Sequence, residues 1–471
     1  MAAAQCLDFY PILFAGGTGS RLHPLTDDLT KALLPVGNKP ALFYSLYMLE
    51  RSGFTQVMVV TVPSQLASIS NYVYEQYPLD KAVQSRRIHA SPMVIHIKSV
   101  TEGIGTADAL REVESCIPSD FVVLSADFIA DWDLIGLLEQ HRTSDASLTV
   151  VLYEDIPFKQ EKHTTLKDNV SALEDVTLIS PIHHRIFMLE SSADIEDEVC
   201  ISSHILKHNP RLILKRNLRD CHLYVFSHWV LELLRRNLAI SSIKAELVPF
   251  LVRRQYHLSK RCRSWQKLVG KQHKYNYEKD TLDIPLITEY RWEKAIHWTS
   301  FPDIVRCYAM LLPRKVFARR MHTLEWYRQV NEACLKGWIA CCFSMGQETK
   351  RISFDRAEED KSASSKRKSS QRLLMGQDVS IDDQSELKDC VIGDHCQIGQ
   401  RVKLNGCIVM DHVLIGNDCN LQNCIISSNC HVMERCKLKH CSTAASVTIP
   451  ADTIVKDESF GKVQDSDFLF N

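Results

Sequence analysis

The chain has 471 residues, 45% hydrophobic and 24% charged, and its 56 basic and 57 acidic side chains leave a net charge of −1. That length holds two or three domains with separate cores, and nothing in the neutral balance implies a strongly basic nucleic-acid-binding surface. No basic segment followed by a long apolar run opens the chain, and no stretch approaches ~20 apolar residues, so neither a secretory signal nor a membrane span is expected. The 17 cysteines without an export signal point to reduced thiols in the cytosol or nucleus rather than to disulfides.

The first element is an apolar strand, Ile12 to Ala15, that runs directly into Gly16, Gly17 and Gly19. Glycines there let backbone N–H groups approach a phosphate, and Arg21 and Lys31 add the fixed positive charge that phosphoryl chemistry uses. The pattern continues through Pro24, Leu25, Pro35, Val36 and Gly37 to Pro40. A helix is expected from Ala41, just after Pro40, to Arg51, just before Gly53. Val57–Val62 and Phe121–Ser125 are short, β-branched runs, which read as buried strands of a largely parallel sheet. Helical spacing marks Thr106–Cys116 and Asp133–His141 between and after them. This alternation predicts a doubly wound α/β domain whose ligands bind at the carboxyl ends of the strands, where Gly16 and Asp127 both fall.

Two more segments carry candidate chemistry. Thr101–Leu110 (TEGIGTADAL) is a glycine loop entering a helix, so Gly105 and Thr106 can offer backbone donors to a base or phosphate. Ser125–Asp131 (SADFIAD) follows a strand and puts Asp127 where a carboxylate can hold a divalent cation. The pair His183–His184 reads as a surface feature. Further along, Cys221–Gln255 is expected to form a strand and two helices, residues 256–280 a polar surface insertion, and Arg306–Leu335 a return to helical character. Residues 346–372 are rich in Ser, Lys, Arg and acids and poor in apolar residues, the composition of a disordered linker.

A fixed period follows the linker. Cys390, Cys407, Cys424 and Cys441 are each 17 residues apart. The columns Val379–Cys396–Val413–Cys430–Val447, Ile381–Ile398–Ile415–Val432–Ile449 and Leu387–Leu404–Leu421–Leu438–Val455 keep the same step. Five coils from about Leu373 to Asp457 therefore stack equivalent apolar residues inward, with subspacings near six, as in a hexapeptide-repeat, left-handed parallel β-helix. Zinc sites pair ligands two to four residues apart, whereas cysteines one coil apart form a buried ladder at ~4.8 Å spacing. The domain boundaries expected are 8–338 for the α/β domain, 346–372 for the linker and 373–460 for the solenoid.

GGTGSRLHPLT, TEGIGTADAL and SADFIAD, in that order and followed by hexapeptide coils, resemble the nucleotide-sugar pyrophosphorylases, such as those that make GDP-mannose. Over most of its length the chain more closely resembles the initiation factor 2B family of gamma-type subunits. That resemblance implies a Rossmann-like nucleotidyltransferase-type domain with Gly16, Gly17 and Gly19 in the phosphate loop. Arg21 and Lys31 match the catalytic cations, Gly105 and Thr106 the second loop, and Asp127 the first metal-binding aspartate.

Departures from the enzyme pattern are equally specific. Thr30 and Ala32 replace the prolines that flank the lysine, and Ala126 replaces the glycine before the aspartate. Cys221, His222 and Leu223 fill a small-residue NxG step, where their bulk would crowd a sugar pocket. A second metal-binding aspartate is not identified. The expectation is therefore a non-catalytic structural and regulatory subunit that needs no cofactor, with residual nucleotide or Mg2+ binding as the inherited capacity. The resemblance implies pairing with an epsilon subunit, association with alpha, beta and delta subunits, and contact with initiation factor 2. It implies no nucleic acid or membrane partner. An end at Asn471, soon after the fifth coil, favours gamma over epsilon, which carries a further exchange domain. The alternative is an active GDP-mannose-type pyrophosphorylase.

The columns make one test of their own. Ile398→Asp or Ile415→Asp would bury an unpaired charge in the solenoid and should cost about 4 kcal/mol or more. A thermal unfolding midpoint unchanged by either substitution would show that the column does not face inward.

Overall fold

The computed structural model describes residues 8–78, 93–154, 175–191, 211–255, 305–339, 372–382 and 384–461, with short pieces between 195 and 209. The 256–280 insertion and the linker, Arg372 apart, lie outside the described residues.

Four strands form the parallel half of the main sheet, in the spatial order Val94–Ser99, Gln56–Thr61, Phe9–Phe14, Asp120–Ser125. Their β-branched runs alternate between two cores. Leu13, Val57, Val59, Val122 and Leu124 face the helix Ala41–Arg51, while Ile12, Met58, Val60, Phe121 and Val123 face the helices Thr106–Val113 and Trp229–Arg236. Burial on both faces explains why the three inner strands lack a polar side, whereas the edge strand Val94–Ser99 exposes His96 and Lys98. Strand order reverses between Phe9–Phe14 and Asp120–Ser125, so the crevice beyond their carboxyl ends is the natural ligand position.

Beyond Asp120–Ser125 the sheet is less parallel than expected. The long strand Ile213–Phe226 runs antiparallel to Asp120–Ser125, Leu148–Glu154 and Asp175–Ile179. Helical character between Arg306 and Leu335 is confined to Leu324–Leu335. Cys307–Leu311 is instead a strand, because Leu148–Leu152 takes it as a parallel neighbour and buries Cys307 and Ala309. Ala318–Arg320 is a second short strand, paired antiparallel with Phe128–Ala130.

The solenoid is a three-sided prism of parallel ladders with six, five and five strands. Its registers follow the 17-residue columns: Ile381 pairs with Ile398, Ile398 with Ile415, Ile415 with Val432, and Val432 with Ile449. All four cysteines of the ladder are buried inside it. The corners were not anticipated. At each, a residue with positive φ recurs at the same period, as in Asp378, His395, His412, Asn429 and Ser446, and the N–H groups of the last four bond to the preceding coil. That bond compensates for side chains in a region that favours glycine.

The first face of the prism is docked on the α/β domain. Alternation sends Leu373, Cys390 and Ile392 into the solenoid, while Leu374, Val391, Ile408, Met410 and Ile425 point outward into the N-terminal core. Each such side chain contributes about 1.5–3 kcal/mol when fully buried. The helix Leu324–Leu335 and the turn at Gly37 complete the contact. Asn331 Oδ1 accepts the Gly37 N–H at 3.0 Å, Tyr327 donates to the Pro35 carbonyl at 2.5 Å, and Asn38 Nδ2 donates to the Ile392 carbonyl at 2.7 Å. Another face stays exposed and carries Lys388, Lys403, Lys437, Lys439 and Lys456.

Asn331→Ala would orphan the buried Gly37 N–H and should cost about 1–3 kcal/mol. Urea unfolding of the full chain reads that loss directly, and an unchanged midpoint would remove Asn331 from the joint.

Candidate functional site

The strand Phe9–Phe14 delivers the glycine loop to the crevice, and its members differ in what holds them. Gly19 has φ +69°, and a Cβ there would lie 2.8 Å from Thr26 Cγ2, so both conformation and space demand glycine. Gly17 faces open space and Arg21 is exposed, which leaves the mouth of the loop accessible. Lys31 lies deeper, in a short helical turn Lys31–Leu33, with its side chain 15% exposed.

At the floor sits Asp127, 3% exposed. Its Oδ1 accepts Ser125 Oγ at 2.6 Å and Arg320 Nε at 3.2 Å. Its Oδ2 accepts Lys31 Nζ and, at 2.8 Å, Arg320 Nη2. A carboxylate offers about four lone-pair sites, so every acceptor position is filled. Arg320 arrives through the Ala318–Arg320 ribbon, which places it opposite Phe128, and the Met321 N–H bonds the Asp127 carbonyl at 2.8 Å.

Burial alone would raise the Asp127 pKa, but the Arg320 and Lys31 charges outweigh it and hold the carboxyl well below its ordinary value. Burial first, and then the Arg320 and Lys244 charges, push His222 well below the ordinary imidazole range. His322 is pushed down to about 3, first by burial and then by Arg320. Arg21 is close enough to lower both Lys31 and His322.

His222 answers for the crowding expected at the NxG step. Its φ of +52° is the backbone conformation a glycine would supply, at a register shift between Asp220 and Tyr224. Cys221 and Leu223 pack into the core, whereas His222 interacts electrostatically with Asp127 and Lys31. The bulge is fixed by buried Asp220, which accepts the His222 N–H at 2.8 Å and Tyr224 Oη at 2.5 Å. Burial raises the Asp220 pKa.

The second glycine loop stands apart from this cluster. A Cβ on Gly105 would lie 2.1 Å from the Ser241 carbonyl oxygen. That carbonyl accepts the Ala107 N–H at 2.8 Å, and Thr106 Oγ1 accepts the Ile243 N–H at 2.9 Å. The 241–243 segment thus engages the Ala107 N–H and the Thr106 hydroxyl oxygen. His183 and His184 are both exposed.

The residues present do not fit the divalent cation that the enzyme resemblance implies. Asp127 has no acceptor left, and among the described residues no group of three His, Cys, Asp or Glu side chains could hold a metal. Sequence reading missed Arg320, Ser125 and His322. Arg320 is 193 residues from Asp127, so no local spacing could announce it.

The nucleotidyl transferase family profile matches residues 10–160, and a profile described as the EIF2B subunit epsilon LbH domain matches residues 357–455. A gamma subunit of translation initiation factor eIF2B from Schizosaccharomyces pombe is 35% identical over 258 residues, 54% of this chain and 53% of that protein. This chain is similar to the initiation factor 2B gamma subunits. The Dictyostelium discoideum gamma subunit is 24% identical over 68% of this chain and 72% of its own length. A mannose-1-phosphate guanyltransferase from Emericella nidulans is 31% identical, but over only 31% of this chain and 38% of that enzyme. The chain spans about half the length of the fission-yeast relative it matches, and its fold is a nucleotidyltransferase-type domain followed by a left-handed β-helix.

Gly105→Ala should cost about 3 kcal/mol, because the Ser241 backbone must move to admit the methyl group. Thermal unfolding checks it; a tolerated methyl group would mean that the loop is held by something other than this contact.

Proposed function

We propose that this chain is a non-catalytic structural and regulatory subunit of an initiation-factor-2B-type complex, which exchanges GDP for GTP on initiation factor 2. In this reading it pairs with an epsilon subunit in the cytosol and joins alpha, beta and delta subunits. The observation that carries the non-catalytic part is the four-fold occupation of Asp127. A nucleotidyl transfer site uses a divalent ion to stabilise charge on the phosphates, a contribution of several kcal/mol, and here the carboxylate that would hold it is already spent on Lys31 and Arg320.

Similarity to gamma subunits extends well past the stretch shared with the guanyltransferase, which supports the subunit reading over the enzyme. Exposed solenoid faces, including the lysine-bearing one, supply surface for partners. No helix among the described residues is long and apolar enough to cross a membrane.

Native affinity purification should recover the chain with epsilon-type and other exchange-factor subunits, and recovery only as a self-oligomer would count against the assignment. A pyrophosphate-release assay with NTPs, sugar 1-phosphates and Mg2+ should stay at background. Turnover that disappears in Asp127→Ala would establish the enzyme instead.

A further inference from the structure

We propose that Arg320 is a built-in cation that stands where a divalent ion would neutralise Asp127. Three features of the structure converge on it. The guanidinium engages both carboxylate oxygens, through Nε and Nη2, the two-point geometry that a planar fork gives and an ammonium cannot. Its approach is set by backbone: the Ala318–Arg320 and Phe128–Ala130 ladder, extended by the Met321-to-Asp127 bond, leaves the side chain only a short reach. The pair is also enclosed, with Asp127 at 3% and Arg320 at 15% exposure.

The consequence is chemical. A guanidinium donates hydrogen bonds but accepts no oxygen ligand, so it balances the carboxylate without offering a Lewis-acid centre to a phosphate. It is always charged and covalently tethered, so it neither titrates away nor exchanges with solvent ions. Lys31 then has a different task from a free phosphate-binding lysine. Its ammonium is shared with Asp127 on the side opposite Ser125, completing the set of donors. The crevice keeps the frame of a metal-dependent site with its metal replaced by a residue of the same chain. This inference deepens the non-catalytic reading above but rests on the geometry of Asp127 alone, independent of which complex the chain joins.

The test uses the full-length chain with Mn2+ as the probe, read by loss of the free-ion resonance signal, and Mg2+ in thermal unfolding. The unsubstituted chain should show no Mn2+ binding that depends on Asp127 and the same midpoint in Mg2+ as in EDTA. Arg320→Ala should lower the midpoint and then recover about 3 °C when Mn2+ reaches ten times its dissociation constant. Adding Asp127→Asn to Arg320→Ala should abolish that recovery.

Mn2+ binding by the unsubstituted chain that Asp127→Asn removes would overturn the proposal, as would a folded Arg320→Ala indifferent to both ions. Should Arg320→Ala fail to fold, Arg320→Gln is read in the same way, and the comparison of the unsubstituted chain with Asp127→Asn still decides. Mn2+ bound at Asp127 without pyrophosphate release would sink this inference and leave the subunit reading standing.

Discussion

A carboxylate as buried as Asp127 has to be matched by charge and hydrogen bonds, or it would not remain ionised. The N-terminal domain meets that requirement with groups from three separate places in the chain: Lys31 from the first loop, Ser125 from the strand end, and Arg320 from a ribbon far downstream. The pairing draws the distant Ala318–Arg320 segment against Phe128–Ala130, and that segment leads directly into the helix Leu324–Leu335. Removing one partner from such a cluster costs more than the pair contributes, because the remaining charge stays buried. The cluster therefore acts as a fastening for local topology as well as a chemical site.

The same helix carries the consequence to the second domain. Its Tyr327 and Asn331 hold the Pro35–Gly37 turn, and that turn presents Asn38 to the Ile392 carbonyl of the solenoid. The loop that begins at Gly16 is thus braced at its far end by the helix and the β-helix together. Apolar side chains from the docked face fill the space between. A change at Arg320 and a change in the docked face both bear on one helix, which makes the crevice and the solenoid mechanically neighbouring regions.

What could be read from sequence differed sharply between the two domains. In the solenoid a one-dimensional period fixes a two-dimensional ladder, so columns such as Ile381 to Ile449 gave the register residue by residue. The corners escaped because His, Asn, Arg and Asp take the positive-φ positions usually flagged by glycine, held there by stacking on the preceding coil. In the α/β domain three of the four parallel strands followed from continuous apolar runs, and the helix Ala41–Arg51 from its Pro40 and Gly53 boundaries. The exposed edge strand Val94–Ser99 carried no such run, and Cys307–Leu311, set in a helical context, is a strand through its parallel pairing with Leu148–Leu152. Asp127 was visible as a residue at a strand end. Its partner Arg320 was not, since an ion pair across 193 residues is a property of tertiary structure alone.

The glycine motifs divide in the same way. Gly19 and Gly105 are required by their neighbours, the first by its left-handed backbone against Thr26 and the second by the Ser241 carbonyl. Gly17 and Gly103 both face open space, so neither is required by a neighbour, although Gly103 holds a left-handed backbone at φ +79°. A sequence that keeps GGTG and TEGIG therefore satisfies the packing of this fold whether or not a phosphate ever enters. The residues whose state would decide catalysis are Asp127 and the cations around it, and these are turned inward upon each other. Motif and chemistry separate at that point, because the first answers to backbone geometry and the second to where four hydrogen bonds are spent.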